Sequence, residues 1–334
     1  MTARTPGKYG KRSPKGAPAI DIAPLLTGVI PPHPVAVDYI AAMDGGWQML
    51  GNDIAGDCAA VTWANVRRMV TTVLGTAAYY PSQAEVWAIY KTQNPGFDPT
   101  GDPAVNGPGS PADNGMDLQT LFEFLTSTGG PDGVKAVCFG RISPRDAAAV
   151  KAAIAIFGYV WTGTTVLACN PQEFADDQPW QYEPYSPVEG GHSIVTGGYG
   201  AAAVNASPAL GGDEKFVTWA AETSFTDAFW SHEVDECWVV IWPEHLDSKA
   251  FLEGVNLTQL AADFKDITGR ALPAAPVAVT PPAPAPIVVP PGPAGTPVAP
   301  SGLLQDLAAR ARWVATATGQ DYRGVVDWLR AHRP

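Results

Sequence analysis

Positive charge is scarce in this chain. Its 21 Lys and Arg stand against 33 Asp and Glu, for a formal net charge of −12. Phosphate binding needs clustered cations, so nucleic acid and anionic membrane are excluded as general partners. Cysteine is scarce as well. Cys58, Cys138, Cys169 and Cys237 form no CxxC pair; they are too few for a disulfide scaffold or a zinc ribbon and read as free thiols. Long apolar runs are missing. The most apolar stretch, "AAAVKAAIAIFGYVWTGTTVL", is interrupted by Lys151, Gly158 and several threonines, which predicts a core helix followed by a strand, and no membrane span. No glycine-rich phosphate motif follows a strand, so nucleotide chemistry has no footing. The ligand-type cluster "HEVDEC" at 232–237 has no second cluster at metal spacing. Asp98, Asp102, Asp113 and Asp117 lack the alternate-position spacing of a calcium loop. No metal and no cofactor is expected.

What is present is organised unevenly. The first sixteen residues carry Arg4, Lys8, Lys11, Arg12 and Lys15 and no acid, and no apolar run of secretory type follows. Residues 1–20 read as a basic flexible arm, without a signal peptide. Residues 271–300, "ALPAAPVAVTPPAPAPIVVPPGPAGTPVAP", are too proline-rich for a helix or central strand and read as a polyproline II linker. At about 3.1 Å per residue it would reach roughly 90 Å. Residues 301–334 show apolar residues at helical spacing, Leu304, Leu307, Ala308 and Ala311 among them. So short a segment cannot hold much core, which predicts a small helical docking module.

The main domain, residues 21–270, changes character midway. Helical patterns cover 58–74, 82–92 and 116–127, with a Gly/Pro/Asp-rich loop before the last. From about 157 onward, strand-like runs appear at "YVWTGTTV", "HSIVTGGYG", "KFVTWAA" and "CWVVIW". Helices first and strands afterwards predict an α+β domain with a largely antiparallel sheet.

Within that domain "GNDIAGDC", residues 51–58, precedes a helical run whose apolar positions Val66, Met69, Val70, Val73 and Leu74 recur until Gly75. Asp57 is placed to cap it. Cys58 then opens the helix, where the dipole and free backbone N–H groups favour a thiolate, the form that attacks a carbonyl carbon. The base best placed to serve it is His192 in "EGGHSIVTGGYG". Two glycines precede it and a period-2 run follows, so it should open a strand and face a space that small residues keep clear. His33, His232, His245 and His332 have less suggestive surroundings.

A helix-initial cysteine followed far downstream by a strand-borne histidine resembles the papain-like cysteine peptidases. The separation of Cys58 from His192 falls inside that family's window of roughly 130 to 150 residues. "DNGMDLQTLFEFLTSTGG", "VKAAIAIFGYVWTGTTV", "GGHSIVTGGYG" and "FVTWAAETSFTDAFW" resemble further family segments in the same order, over most of 45–243. The resemblance implies a papain-like α+β fold whose nucleophile helix packs on the sheet. It also implies thiol-dependent amide hydrolysis by a Cys58/His192 dyad, with Asn52 as an oxyanion-hole donor in place of the family's Gln. Trp219 would be the tryptophan that shields the site. The position of the family's orienting Asn then falls on Val217, which cannot hold an imidazole, leaving Thr218 and Glu222 as candidates for that role. Ala59 also replaces the usual aromatic after the nucleophile, and the family's upstream disulfide cysteine is absent.

"GNDIAGDC" joined to a proline-rich linker and a small terminal module is similar to papain-like proteins of actinobacterial phages. This implies a place in a virion or in host cytoplasm. The substrate would be a protein or a cell-wall peptide, and the terminal module would bind virion proteins. The rival reading is a papain-like fold with little or no activity, serving as a structural or adaptor (minor tail) protein.

Overall fold

The computed structural model describes residues 4–14, 16, 19–26, 34–43, 45–75, 77–200 and 214–272. The linker beyond residue 272 and the helical module expected at 301–334 lie outside the described residues.

The helical part comes first. Helix α1, Cys58–Val73, is buried along most of its length. Helix α2, Gln83–Lys91, starts at a capping box in which Ser82 and Glu85 satisfy each other's backbone N–H groups. Helix α3, Leu118–Ser127, is capped by the Asp117 carboxylate on the Thr120 N–H. The apolar stretch singled out above divides as expected, into α4, Ala147–Phe157, and strand Val160–Leu167. Gly158 makes the break by adopting the left-handed conformation (φ 82°) at the helix end.

The strands are β1 (Ile20–Asp21), β2 (Val37–Asp38), β3 (Cys138–Arg141), β4 (Val160–Leu167), β5 (Val188–Tyr199), β6 (Glu214–Thr218), β7 (Ala221–Ser224) and β8 (Val234–Ile241). They form one sheet in the order β1-β3-β8-β4-β5-β6-β7, with β2 also on β5. Every pairing is antiparallel except β1 with β3. Four further α-helices lie among the described residues, α5 (Asn170–Ala175), α6 (Asp227–Glu233), α7 (Lys249–Gly254) and α8 (Leu257–Thr268), besides short 3-10 turns.

The sheet is buried on both faces, which is why its central strands read as nearly continuous apolar runs. Alternate residues serve two cores. Ile194, Phe216, Cys237, Val239 and Ile241 join α4, α7 and α8 on one side. Val195, Val217, Trp238 and Val240 join α1 and α3 on the other. The fold is thus α+β, with α1 lying on a largely antiparallel sheet.

Polar groups fix the position of α1 on that sheet. Thr62 Oγ1 donates to the Cys58 carbonyl one turn back at 2.9 Å, and Ser193 Oγ on β5 donates to Thr62 Oγ1 at 3.1 Å. Trp161 Nε1 on β4 donates to Ser193 Oγ at 2.8 Å. Farther along, buried Arg67 pairs with Asp132 at 2.7 Å and Glu244 at 2.8 Å and lies over the Trp242 ring. A bidentate, hydrogen-bonded guanidinium of this kind has its desolvation cost offset by its partners.

Candidate active site

Cys58 is the first residue of α1, as its position after Asp57 suggested, and is 1% exposed. Asp57 occupies the N-cap position, but its side chain makes no capping bond. Its carboxyl is buried, and that burial holds it well above the usual carboxylate range, against the opposing pull of the Asn52 amide. His192 lies within β5, not at its start: the strand begins four residues earlier at Val188, and His192 pairs with Thr164 of β4. The ring is 1% exposed. Its Nε2 lies 2.6 Å from Thr218 Oγ1, while Nδ1 has no hydrogen-bond partner among the described residues. The Trp219 ring stands 5.1 Å from the imidazole, centroid to centroid, at a 40° tilt, and is itself buried.

Strand alternation sorts the orienting candidates. Val217 faces the α1 side of the sheet, packed in that core and opposite Val195. Thr218, one residue on, faces the other way and reaches the imidazole. Glu222 is occupied elsewhere, its carboxylate held by Lys215 at 2.7 Å and by Trp47 Nε1 at 3.2 Å. A hydroxyl both donates and accepts, so Thr218 can pair with either tautomer of His192.

The basic arm lies in this site. Lys8 N donates to the Asn52 carbonyl at 2.6 Å, and the Asn52 side-chain amide donates to the Lys8 carbonyl at 3.1 Å and to the Ala55 carbonyl at 3.1 Å. Gly10 N and Lys11 N both donate to the Gly191 carbonyl, at 3.0 and 2.9 Å. On the opposite wall Met116 N donates to the Gly10 carbonyl at 2.6 Å, and Arg12 N donates to the Met116 carbonyl at 2.8 Å. The Tyr9 ring meets those of His192 and Trp219. Residues 8–12, expected to be flexible, are therefore held by main-chain bonds to both sides of a cleft.

The glycines before His192 do keep a space clear, and the arm fills it. A Cβ on Gly191 would sit 2.3 Å from the Lys11 carbonyl oxygen, and one on Gly190 2.9 Å from Tyr9 Cβ. On the facing wall a Cβ on Gly115 would come within 2.0 Å of the Gly10 oxygen. Only glycine lets a backbone approach this closely.

Enclosure reverses the expected electrostatics of the thiol. Burial pushes Cys58 up to about 12, with the neighbouring Asp57 adding to the rise. The Ser193 and Gly10 N–H groups and the Lys11 charge pull the other way and do not compensate. His192 is driven down to about 3, by burial first and by the Lys11 ammonium second. With the arm in place Cys58 is a neutral thiol and His192 a neutral imidazole, not the thiolate expected from the helix start. The helix dipole contributes at most a couple of kcal/mol, less than the desolvation of a charge sealed from water.

Among the described residues no group of three or more His, Cys, Asp or Glu is placed to hold a metal ion. Within "HEVDEC" the side chains diverge: His232 stacks on Tyr182, whereas Asp235 and Glu236 turn to Lys11. Of the long-loop carboxylates, Asp98 accepts from the Thr100 N–H and Asp102 from that of Ala104 within their own turns, whereas Asp113 accepts from the Gly56 N–H at 2.9 Å. No described helix is long and apolar enough to cross a membrane.

The arm was not foreseen as part of the site, although the glycines at 115, 190 and 191 are its imprint. No family model matches the chain, and no curated protein matches it. Among solved structures, the chain is similar to xylellain, a cysteine protease from Xylella fastidiosa, with a TM-score of 0.50 and 15% identity, covering 72% of this chain and 98% of that one. Procathepsin B S9 from Trypanosoma congolense is similar with a TM-score of 0.45 and 10% identity, over 70% of this chain and 86% of its own. The ragweed pollen allergen Amb a 11, a cysteine protease in its proform, gives 0.42 and 12%, over 64% of this chain and 67% of its own. With α1 laid on a largely antiparallel sheet, the architecture of this chain is that of the papain-like cysteine proteases.

Proposed function

We propose that the chain is a thiol-dependent peptide hydrolase in which Cys58 is the nucleophile and His192 the base. Thr218 positions the imidazole, and the Asn52 amide and the Cys58 N–H receive the oxyanion. The observation that carries this reading is the arm itself. An extended peptide lies between the Asn52 and Gly191 sides of the cleft, a carbonyl of it sits on the Asn52 amide, and its N–H at Gly10 acts on the Cys58 sulfur. A cleft that grips one peptide by its backbone can grip another, since main-chain bonds are blind to sequence.

With the cleft open to substrate, the Cys58 proton passes to His192 and the sulfur adds to the scissile carbonyl. The oxygen takes the charge facing the Asn52 and Cys58 donors. Collapse breaks the C–N bond, the imidazolium gives its proton to the departing amine, and water then cleaves the thioester, with His192 again as base. In the closed form the arm holds the enzyme latent, because both partners are neutral and the oxyanion donor is occupied.

The virion setting is part of the same reading. Its support is the sequence beyond the domain, where a proline-rich linker and a helical pattern suit a tethered module that docks on virion proteins. The rival, an inactive structural or adaptor protein, draws on the buried neutral thiol. Labelling with a peptidyl electrophile followed by peptide mapping decides between them. Modification confined to Cys58, and lost in Cys58→Ser and His192→Ala, is expected. Equal modification of all four thiols, with no turnover of any peptide after the arm is displaced, would establish the structural role.

A further inference from the structure

Lys11 does something in the cleft that a backbone clamp does not require. Its side chain is only 2% exposed, and its ammonium donates to Glu236 at 3.1 Å and to Asp235 at 2.8 Å. The Glu236 carboxylate is held from behind by Trp238 Nε1 at 2.9 Å. The wall along which the Lys11 stem runs is Gly163 of β4, where a Cβ would sit 2.7 Å from Lys11 Cδ and 3.1 Å from Cε. The result is a slot built for a long, straight, cationic side chain. It has a glycine wall, a buried carboxylate fixed by an indole and a second carboxylate at the rim.

We propose that this slot is the cleft's specificity pocket, and that the substrate is a peptide with Lys or Arg at the position Lys11 now fills. The inference rests on reading the cleft as a peptidase site. Three features separate the slot from an ordinary internal ion pair. Lys11 comes from a strand gripped through its backbone on either side, at Gly191 and Met116, and by the Arg12 side chain on the Asn114 and Gly115 carbonyls, so the Lys11 side chain is not its only anchor. The pocket begins beside the thiol, whose neighbouring residue Gly10 immediately precedes Lys11. And Glu236 is costly to leave empty: burial raises its carboxyl above the usual range, and the Lys11 charge and Trp238 bond oppose that rise. Such a group favours a cationic occupant over a neutral one. Beyond the two carboxylates a cavity of about 390 Å³ opens, lined in part by Arg141, Asp235, Glu236 and Trp238, so the larger guanidinium also has room. The arm then works as a competitor that presents the substrate's own recognition element.

The test uses the full chain and measures the rate of Cys58 modification by peptidyl acyloxymethyl ketones. These carry Lys, Arg, norleucine or Glu at the residue that enters the slot, and iodoacetamide serves as a sequence-blind control. Lys11→Ala should label faster than wild type with every peptidyl probe. It should prefer Lys and Arg over norleucine by on the order of tenfold or more, and over Glu by a larger factor. Adding Glu236→Gln should flatten that ranking while leaving the iodoacetamide rate nearly unchanged. Lys11→Arg should fold, stay closed and label as slowly as wild type. Should Lys11→Ala fail to fold, wild type, labelled slowly as the arm opens, should still show the same ranking.

Equal rates with all four probes, at a mapped and reactive Cys58, would overturn the pocket while leaving the peptidase reading intact. A Cys58 that reacts with iodoacetamide and with no peptidyl probe would overturn both, by a different signature.

Discussion

Thr218 Oγ1 and His192 Nε2 stand 2.6 Å apart, and both residues are buried. A hydroxyl so placed fixes the ring's orientation without fixing its tautomer. Thr218→Val keeps the shape and removes the bond. We expect kcat to fall on the order of ten- to a hundredfold with KM little changed, as for loss of a positioning contact. Thr218→Ser should restore most of the rate. Val217→Asn, which would place an amide where the family carries one in sequence, should not help. That side chain points into the core around α1, and an amide buried there unpaired costs about 1–3 kcal/mol. A rate gain in Val217→Asn would show that β6 can shift its register to present residue 217 to the ring.

The one-residue ambiguity at 217 and 218 shows where sequence reasoning ran out. The alternation of β6 was legible, yet the register that places it beside β5 is a long-range property, and a slip of one residue exchanges the two faces. Cys58 was legible because its position depends on local helix chemistry. His192 stood out through Gly190 and Gly191, but the tenant those glycines admit comes from the far end of the domain. The thiol's protonation state was read in the wrong direction for the same reason: a helix start favours thiolate only while water or a cation remains nearby. Helix α7 escaped notice because it is short, and α8, although twelve residues long, because it buries only Leu260 and Phe264 and so shows a thin apolar stripe.

The thiol's pH dependence should report whether the arm is seated. In the closed form Cys58 ionises only near 12 and His192 near 3. The iodoacetamide rate of wild type should therefore keep rising through neutral and alkaline pH with no plateau. Opening the cleft by Lys11→Ala hydrates the thiol, so the rise should begin at lower pH and exceed wild type at pH 7. Identical profiles in the two proteins would mean that the arm does not control the sulfur's environment.

Acid should weaken the fold, and the sign follows from the two buried histidines. His192 is held down to about 3 and His245 to about 4, both by burial first. His245 Nδ1 accepts from the Trp242 N–H at 2.9 Å, which places the ring proton on Nε2, bonded to the Phe157 carbonyl at 3.0 Å; that second bond and nearby Glu244 pull the value up without offsetting burial. An unfolded histidine takes its proton near 6.5. Their contribution is complete above that pH and is lost as pH falls toward 4 and then 3, where the unfolded state binds more protons. Thermal melting should show a falling midpoint from pH 7 to pH 4. His192→Gln should show a shallower fall over that window, and an unchanged slope would mean that His192 is already protonated or hydrated in the folded protein.

Gly191 offers the cleanest way to separate the arm from the chemistry. Its carbonyl receives both Gly10 N and Lys11 N, and an added Cβ would lie 2.3 Å from the Lys11 oxygen, backbone against backbone, where no side-chain rotation gives relief. Gly191→Ala should therefore unseat residues 8–12 while leaving α1 packed on β5, because the Thr62–Ser193–Trp161 bonds are made two residues farther along the strand and involve no atom of the arm. The arm should become open to limited proteolysis, and iodoacetamide should reach Cys58 faster than in wild type. Peptide turnover should not rise in parallel, since a substrate backbone on the same wall meets the same methyl group. Lys11→Ala, which opens the cleft without narrowing it, should raise both rates together. An arm that stays protease-resistant in Gly191→Ala, with slow labelling, would mean that the strand can move aside to keep its occupant. The cleft would then be more plastic than its glycine-lined walls require.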